Sequence, residues 1–298
     1  MKTVKRCGFV AILGRPNVGK SSLLNAMLRK KISIISYKPQ TTRDQILGIK
    51  TQDDTQIIFV DTPGMHLGGK RALNKQMNKI ARQSMSDVNA IIFVVEALKW
   101  TAEDDMVCQR IQKQDSPIII AVNKIDLVPN KTDLLAFSEH LAKQLPTATI
   151  VPVSATKKIQ LDQLEKLAKS HLPESPFYFA EDQSTDKPEF FQVSEIIREK
   201  LFLFLQKELP YSLCVQIETM DYEPNINHIH AMIWVERESQ KGIIVGEKGS
   251  KLKEIGTAAR LDLERFFDKK VCLKLWVKVQ DAWSDDVRML QNIGIMEN

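Results

Sequence analysis

The sequence predicts an α/β protein: a doubly wound, mostly parallel sheet covered on both faces, followed by a smaller α+β module. Three observations carry this. Short apolar, β-branched runs alternate with helix-period segments through the first 170 residues, the pattern that parallel strands and crossover helices leave in a chain. A Pro-rich polar stretch around Pro173, Pro176 and Pro188 then breaks the alternation, and beyond it the order becomes helix, strand, strand, helix pair, strand. The length of 298 residues suits two domains, and 43% hydrophobic with 27% charged residues supplies a core for each while excluding collagen-like, mucin-like and disordered chains.

Taken in order, strands are expected at 9–13, 46–50, 57–60, 90–95, 118–122 and 149–153, each a short β-branched run. Helices are expected at 20–29, 73–85, 103–112, 131–143 and 161–171. The turn at 51–55 is long enough only for a hairpin, so one antiparallel edge strand is expected. Residues 1–172 form the first domain in this reading, 173–189 a linker and 190–298 the second domain. There the expected elements are a helix at 190–206 that docks on a sheet, strands at 212–218 and 228–235, two helices around Gly246 to Gly249, and a strand at 271–279.

Charge is uneven. Residues 241–280 hold ten Lys/Arg against five acids, so the rest of the chain has 42 − 10 = 32 basic and 37 − 5 = 32 acidic residues, and the whole net charge of +5 lies in that one stretch. A basic patch confined to one module is the footprint of a polyanion partner. Cys7, Cys108, Cys214 and Cys272 are scattered with no CxxC pair, which argues against a disulfide framework or zinc site and for a reducing compartment. The first apolar run, Gly8 to Gly14, is too short for a signal segment, and no run approaches the ~18 residues that span a bilayer, so a cytoplasmic protein is expected. The twelve glycines leave an empty interval from Gly69 to Gly242, and the chemistry concentrates at its two ends.

Gly14-Arg15-Pro16-Asn17-Val18-Gly19-Lys20-Ser21, followed by Ser22, matches GxxxxGK[ST] between an expected strand and helix. Its glycines let the loop wrap a polyphosphate with inward N–H groups, Lys20 adds positive charge at the β- and γ-phosphates, and the Ser21 hydroxyl can ligate Mg²⁺. Asp61-Thr62-Pro63-Gly64 ends a strand, putting a carboxylate near the metal and the Gly64 N–H near a γ-phosphate. Between them Thr42, in preference to Thr41, is placed to complete the Mg²⁺ shell, and Gly68-Gly69 to hinge a second switch. Asn123-Lys124-Ile125-Asp126 follows the fifth strand: Asp126 can accept from guanine N1–H and the 2-amino group, which adenine cannot match, a discrimination of ~10⁴-fold where a site is built for the bond. Lys124 is expected to lay its stem over the base and Asn123 to tie this loop to the first. Ser154-Ala155 after the sixth strand can offer a backbone N–H to guanine O6.

With GRPNVGKS, TTRD, DTPG, NKxD and SA assembled, the first 170 positions resemble the translation-factor-related GTPases of the Era and MnmE group. Residues 241–253 carry a GxxG, Gly246-Glu247-Lys248-Gly249, between two short helices, and with the strand after them resemble a type II KH domain. KH modules clamp about four nucleotides of single-stranded RNA there, where missing side chains let backbone and phosphate approach. A P-loop GTPase domain followed by an α+β type II KH domain is the layout of an Era-type GTPase. The resemblance implies GTP and GDP as ligands, Mg²⁺ as cofactor, and binding to the single-stranded 3′ end of 16S ribosomal RNA during small (30S) subunit assembly. It also implies a monomer with weak peripheral contact at the inner membrane surface. Gly246, Lys248, Gly249, Lys251, Lys253 and Arg260 are the expected RNA contacts.

Met65 stands where many GTPases place a water-orienting glutamine, so unaided hydrolysis is expected to be slow, with Lys20, Thr42, Gly64 and Asn17 as the catalytic candidates. Asn17 is expected to help hold K⁺ against the phosphates, as in potassium-dependent relatives; Arg43 and Asp44 are further candidates in the first switch. Two departures stand out: Glu247 puts an acid inside the GxxG, and Lys157-Lys158-Ile159-Gln160 lacks the glycine often found after the SA pair. His228 and His230 share a strand face without a third metal ligand, and Phe202, Phe204, Phe266, Phe267, Trp234 and Trp276 are expected in the core. The competing reading is a signalling GTPase whose C-terminal module binds protein or membrane instead of RNA.

Overall fold

The structure, a computed structural model, describes residues 4–35, 45–61, 87–205, 213–281 and 283. Thr41, Thr42, Arg43, Asp44, Thr62, Pro63, Gly64, Met65, Gly68, Gly69 and the helix expected at 73–85 lie outside the described residues. The described chain divides into two compact units, the first running to Asp186 and the second starting at Lys187.

The first unit contains β1 (Arg6–Leu13), α1 (Lys20–Leu28), β2 (Ile46–Gln52), β3 (Thr55–Asp61), β4 (Ala90–Glu96), α2 (Ala102–Ile111), β5 (Ile118–Asn123), α3 (Thr132–Gln144), β6 (Thr149–Pro152) and α4 (Leu161–Ser170). The strands form one sheet in the order β2-β3-β1-β4-β5-β6. All neighbours are parallel except β2 and β3, the expected edge hairpin. Successive strand residues face opposite sides of a sheet. In β1, Val10 and Ile12 accordingly enter one core with Leu23, Leu24 and Leu164, while Ala11 and Leu13 enter another with Val107, Ile111 and Leu141. Both faces of this strand are dry, which is why it reads as an unbroken apolar run.

The Pro-rich stretch 173–186 is laid against the sheet of the first unit. Ser175 N–H donates to the Lys5 carbonyl (3.0 Å) and Ile49 N–H to the Ser184 carbonyl (2.9 Å), while Leu47 N–H donates to Asp186 Oδ1 (2.9 Å). Fully buried Gln56 accepts from the N–H groups of Tyr178 and Phe179 at 3.0 Å each and donates to the Phe179 carbonyl at 2.9 Å. The bonds at Leu47 and Ile49 occupy outward groups of edge strand β2, which would otherwise invite pairing with another chain.

The second unit contains α5 (Glu189–Phe204), β7 (Leu213–Tyr222), β8 (Ile226–Val235), α6 (Glu238–Val245), α7 (Ser250–Phe267) and β9 (Lys270–Val279). β8 pairs antiparallel with β7 and parallel with β9. Val193, Ile197 and Leu201, spaced by four on α5, pack against Leu213, Val215 and Ile229 of the sheet and Ile255, Ala259 and Leu263 of α7. Phe202 is fully buried, and Phe204, Phe266 and Phe267 sit against this core, but Trp276 is 42% exposed. The reason is register: Trp276 occupies the β9 face shared with Lys274 and Lys278, away from the helices. Among the described residues no helix is long and apolar enough to cross a membrane.

Candidate functional site

β1, β3, β5 and β6 end at one edge of the parallel sheet, and each delivers a motif there: the glycine loop after Leu13, Asp61 closing β3, Asn123 closing β5 and Ser154 after Pro152. Carboxyl ends of parallel strands are where open α/β sheets bind ligands.

The glycine loop is held by close backbone approach. Gly14 and Gly19 have φ of 152° and 99°, and a Cβ at either would stand 2.4 Å from the Val94 carbonyl oxygen or 2.3 Å from Asn123 Nδ2. Asn17 also adopts a left-handed φ of 63°. Lys20 opens α1 and is 7% exposed, donating to the carbonyls of Gly14 and Arg15 at 3.0 Å each. An ammonium has three N–H donors, so one remains to face a phosphate. Burial pushes its pKa from 10.5 to about 8, against the pull of Asp61. A cation so poorly solvated is primed to gain from an incoming anion.

Beside it, Ser21 Oγ donates to Asp61 Oδ2 at 2.9 Å. A hydroxyl and a carboxylate brought together are hard oxygen donors of the kind Mg²⁺ takes, so the pair fits that ion. Ser33, not foreseen from sequence, donates to the same carboxylate oxygen at 3.0 Å. It is placed by Asn25 of α1, whose Oδ1 accepts from the N–H groups of Ile32 (2.9 Å) and Ser33 (3.0 Å). The signal available was Asn25 itself, a poor helix former inside a helix.

Asn123 ties three loops together. Its Nδ2 donates to the Val18 carbonyl (2.9 Å), joining the glycine loop as expected, and its Oδ1 accepts the Ala155 N–H (3.1 Å). A guanine O6 approaching Ala155 must therefore share that proton with Asn123. Asp126 accepts from the hydroxyls of Ser154 and Thr156, which orient its carboxylate; Thr156 was missed because a lone threonine in a loop carries no pattern. Where glycine is lacking after the SA pair, Lys158 and Gln160 take left-handed φ of 55° and 54° instead. Lys124 likewise has φ 67° and directs its ammonium to Glu96 Oε2 at 3.1 Å. The same oxygen accepts from Arg15 Nη2 at 3.0 Å, and Arg15 Nε donates to buried Asp104 at 2.9 Å. Burial acts to raise the Glu96 carboxyl, but the hydrogen bonds and charge of Lys124 and the bond from Arg15 prevail and hold it below its ordinary value.

In the second unit the turn Gly246-Glu247-Lys248-Gly249 joins α6 to α7. Gly246 has φ 70° and a Cβ there would meet Lys251 Cβ at 2.6 Å, whereas Gly249, φ 80°, faces open space. From Gly249 an open groove of about 360 Å³ runs between α7 and β9, lined by Lys253, Gly256, Arg260, Leu273 and Leu275 among others. Lys251 pairs with exposed Glu254 at 3.0 Å and Arg260 with half-buried Glu264 at 2.6 Å. His230 meets the Trp276 ring edge-on at 5.3 Å, and no cluster of three metal-ligating side chains occurs among the described residues.

A sheet of this order with phosphate, metal-fitting and base-reading loops at one edge defines a P-loop GTPase, here joined to a KH domain. Residues 9–124 match the family described as 50S ribosome-binding GTPase and residues 208–284 the KH domain. The chain is 52% identical to GTPase Era of Pseudomonas fluorescens over 289 residues, covering 97% of this chain and 96% of that one. Identity to GTPase Era of Pseudomonas aeruginosa is 53% over 97% of this chain and 95% of that one. The chain belongs to the Era family of GTPases. Era of Aquifex aeolicus bound to GDP and AlF₄⁻ superimposes with a TM-score of 0.94 at 39% identity, covering 98% of this chain and 100% of that one. A structure of Era with MgGDPNP and nucleotides 1506–1542 of 16S ribosomal RNA matches with the same TM-score of 0.94, identity of 39% and coverage of 98% and 100%.

Proposed function

We propose that this chain is a GTP-hydrolysing switch that binds the single-stranded 3′ end of 16S ribosomal RNA through its KH domain and acts in assembly of the small (30S) ribosomal subunit. The observation that carries it is one chain holding both a buried Lys20 cation in a phosphate loop and an open, basic, glycine-started groove from Gly249 to Arg260. The relative solved with GDPNP and a 16S segment supports the same pairing of ligands.

In this reading Gly14 to Gly19 wrap the phosphates, and Lys20, with Ser21 and Ser22 after it, meets the β- and γ-oxygens. Bound Mg²⁺, held by Ser21, Thr42 and Asp61, supplies charge stabilisation to the transferring phosphoryl group. Thr62, Pro63 and Gly64 are assigned to GTP binding by their motif, the Gly64 N–H to the γ-phosphate. Asn123, Lys124, Ile125 and Asp126, with Ser154 and Ala155, read guanine. Water attacks the γ-phosphorus and the bond to the β–γ bridging oxygen breaks, giving GDP and phosphate; Lys20 offsets the charge that develops on that oxygen. Asn17 would hold K⁺, whose charge would help offset that of the phosphates; equal turnover in K⁺ and Na⁺ at one ionic strength would remove that element.

The test of the whole is binding of a 16S 3′-end oligonucleotide by the GTP-analogue-loaded chain. Tight binding abolished by Gly249→Asp supports the reading. No binding, or binding unchanged by that substitution, favours the signalling alternative in which the second unit takes a protein or membrane partner. The location that goes with this function is the cytoplasm, with the chain a monomer in weak peripheral contact with the inner membrane face; flotation with anionic vesicles and sedimentation velocity test those two points.

A further inference from the structure

Glu96 closes β4 directly opposite Asn123 of β5 in the sheet register, and Ala97 N–H donates to the Asn123 carbonyl at 2.9 Å. Its carboxylate therefore stands at the root of the base-reading loop. One oxygen, Oε2, takes both Lys124 Nζ at 3.1 Å and Arg15 Nη2 at 3.0 Å. Arg15 has a second partner, Asp104, whose Oδ2 is fixed in turn by the N–H and hydroxyl of Thr101 at 3.0 and 2.9 Å. The set is two cations and two carboxylates, with Asp104 fully buried and Arg15 nearly so. Arg15 is thus anchored without Glu96, whereas Glu96 is the one acid paired with Lys124 among the described residues.

Lysine is a point charge on a flexible four-carbon stem that loses rotamer freedom when fixed. Its stem lies over a base only if something at the far end holds the ammonium. We propose that Glu96 is a positioning residue for the guanine nucleotide: by binding the Lys124 ammonium to the anchored Arg15 of the phosphate loop, it holds the Lys124 stem across the base and slows nucleotide release. The inference rests on the nucleotide site proposed above. It also gives the phosphate loop and the base loop a second tie beside the Asn123 side chain, made of charge where the first is made of neutral hydrogen bonds.

The test is a double-mutant cycle on the full chain with Mg²⁺, reading the dissociation rate of fluorescently labelled GDP by stopped flow. Glu96→Gln, nearly isosteric, should speed release about tenfold, the scale of a charged hydrogen bond. In a Lys124→Met background, which keeps a stem and lacks the ammonium, the same substitution should add less than about twofold. Unchanged release in Glu96→Gln, or the same acceleration in both backgrounds, overturns the proposal, since a merely structural carboxylate would act regardless of Lys124. Should Glu96→Gln melt below the assay temperature, Lys124→Met alone reads the tie from its other end, with about tenfold faster release expected and unchanged release overturning it. No GDP binding by the unsubstituted chain would instead overturn the nucleotide reading and this inference with it.

Discussion

Two glycine loops carry the proposed chemistry, and they are built on opposite plans. In the first, neither Gly14 nor Gly19 has room for a side chain, since a Cβ would stand 2.4 or 2.3 Å from a neighbouring atom, and the cation they surround, Lys20, is buried. In the second, a Cβ at Gly246 would meet Lys251, but Gly249 opens on empty space, and Lys253 and Arg260 line an open groove. A buried charge in a fixed loop acts at low effective dielectric and is little screened, while exposed charges act through displacement of counterions and fade with salt. The contrast suits the two ligands: a compact polyphosphate that can be enclosed, and a chain that must be threaded along a surface.

The largest effect expected follows from base reading at the enclosed site. Asp126→Asn exchanges an acceptor for a group that cannot receive both guanine N–H donors, and GDP affinity should fall about 10³- to 10⁴-fold while xanthosine diphosphate is gained. Calorimetry with both nucleotides checks this. If GDP affinity survives, the enclosed site does not read guanine through Asp126. Next come the glycines. Gly19→Ala must displace Asn123 and adopt an unfavourable φ, so a loss of about 3 kcal/mol of stability of the first unit is expected, with nucleotide binding lost as well. Gly249→Ala meets no atom within 4 Å and should cost only about 1 kcal/mol of backbone strain in the second unit. Similar losses in the two melts would erase the distinction between the loops.

Ion pairs extend the contrast. Glu165 of α4 is buried between Lys50 and Lys169, whereas Arg260 and Glu264 pair half-exposed on α7. Burial acts to raise the Glu165 carboxyl, but hydrogen bonds from both lysines win and hold its folded pKa below 4.5. A depressed folded value stabilises the fold above the unfolded pKa, and the gain is lost as pH falls through the folded pKa. Glu165→Gln should therefore cost about 2 kcal/mol at pH 7, with the gap to the parent closing as pH drops below about 4.5. Arg260→Ala should change stability by well under about 1 kcal/mol at any pH. Denaturant titrations at pH 7 and pH 4 read both.

What was legible in the sequence divides along the same line. Strand runs such as 90–95 and 118–122 are apolar on both faces, so period and length alone placed them, and the GxxxxGK[ST] and NKxD loops declared their own geometry. The tie from Asn123 to the glycine loop was readable because both motifs must meet one nucleotide. Residues that act through tertiary proximity were not: Ser33, Glu96 and Thr156 belong to no local pattern. Asp104 had a partial signal, since Thr101-x-x-Asp104 is a helix-start signature, but nothing in it pointed to Arg15. Residues 173–189 read as a linker because the bonds that 173–186 make to Gln56, Leu47 and Ile49 come from backbone and isolated polar atoms, which leave no periodicity. Trp276 read as core by residue type alone; strand register decides, and it faces outward.

The smallest expected effect is the sharpest probe of the open loop. Glu247 lies beside the surface where an RNA phosphate would approach, and its charge opposes that approach at a distance where solvent weakens but does not abolish the repulsion. Glu247→Gln should tighten a 16S 3′-end oligonucleotide about threefold to fivefold at 50 mM salt, and less at 200 mM, because the repulsion removed is itself screened. The salt slope tells more than the affinity. With about four nucleotides clamped, the parent should lose roughly twentyfold in affinity between those two salt concentrations, and the variant more than the parent. GDP binding at the buried loop should barely move across the same range. An RNA affinity that ignores salt, or a Glu247→Gln variant that binds no better at low salt, would mean that the second loop is not the open electrostatic surface its exposed lysines suggest.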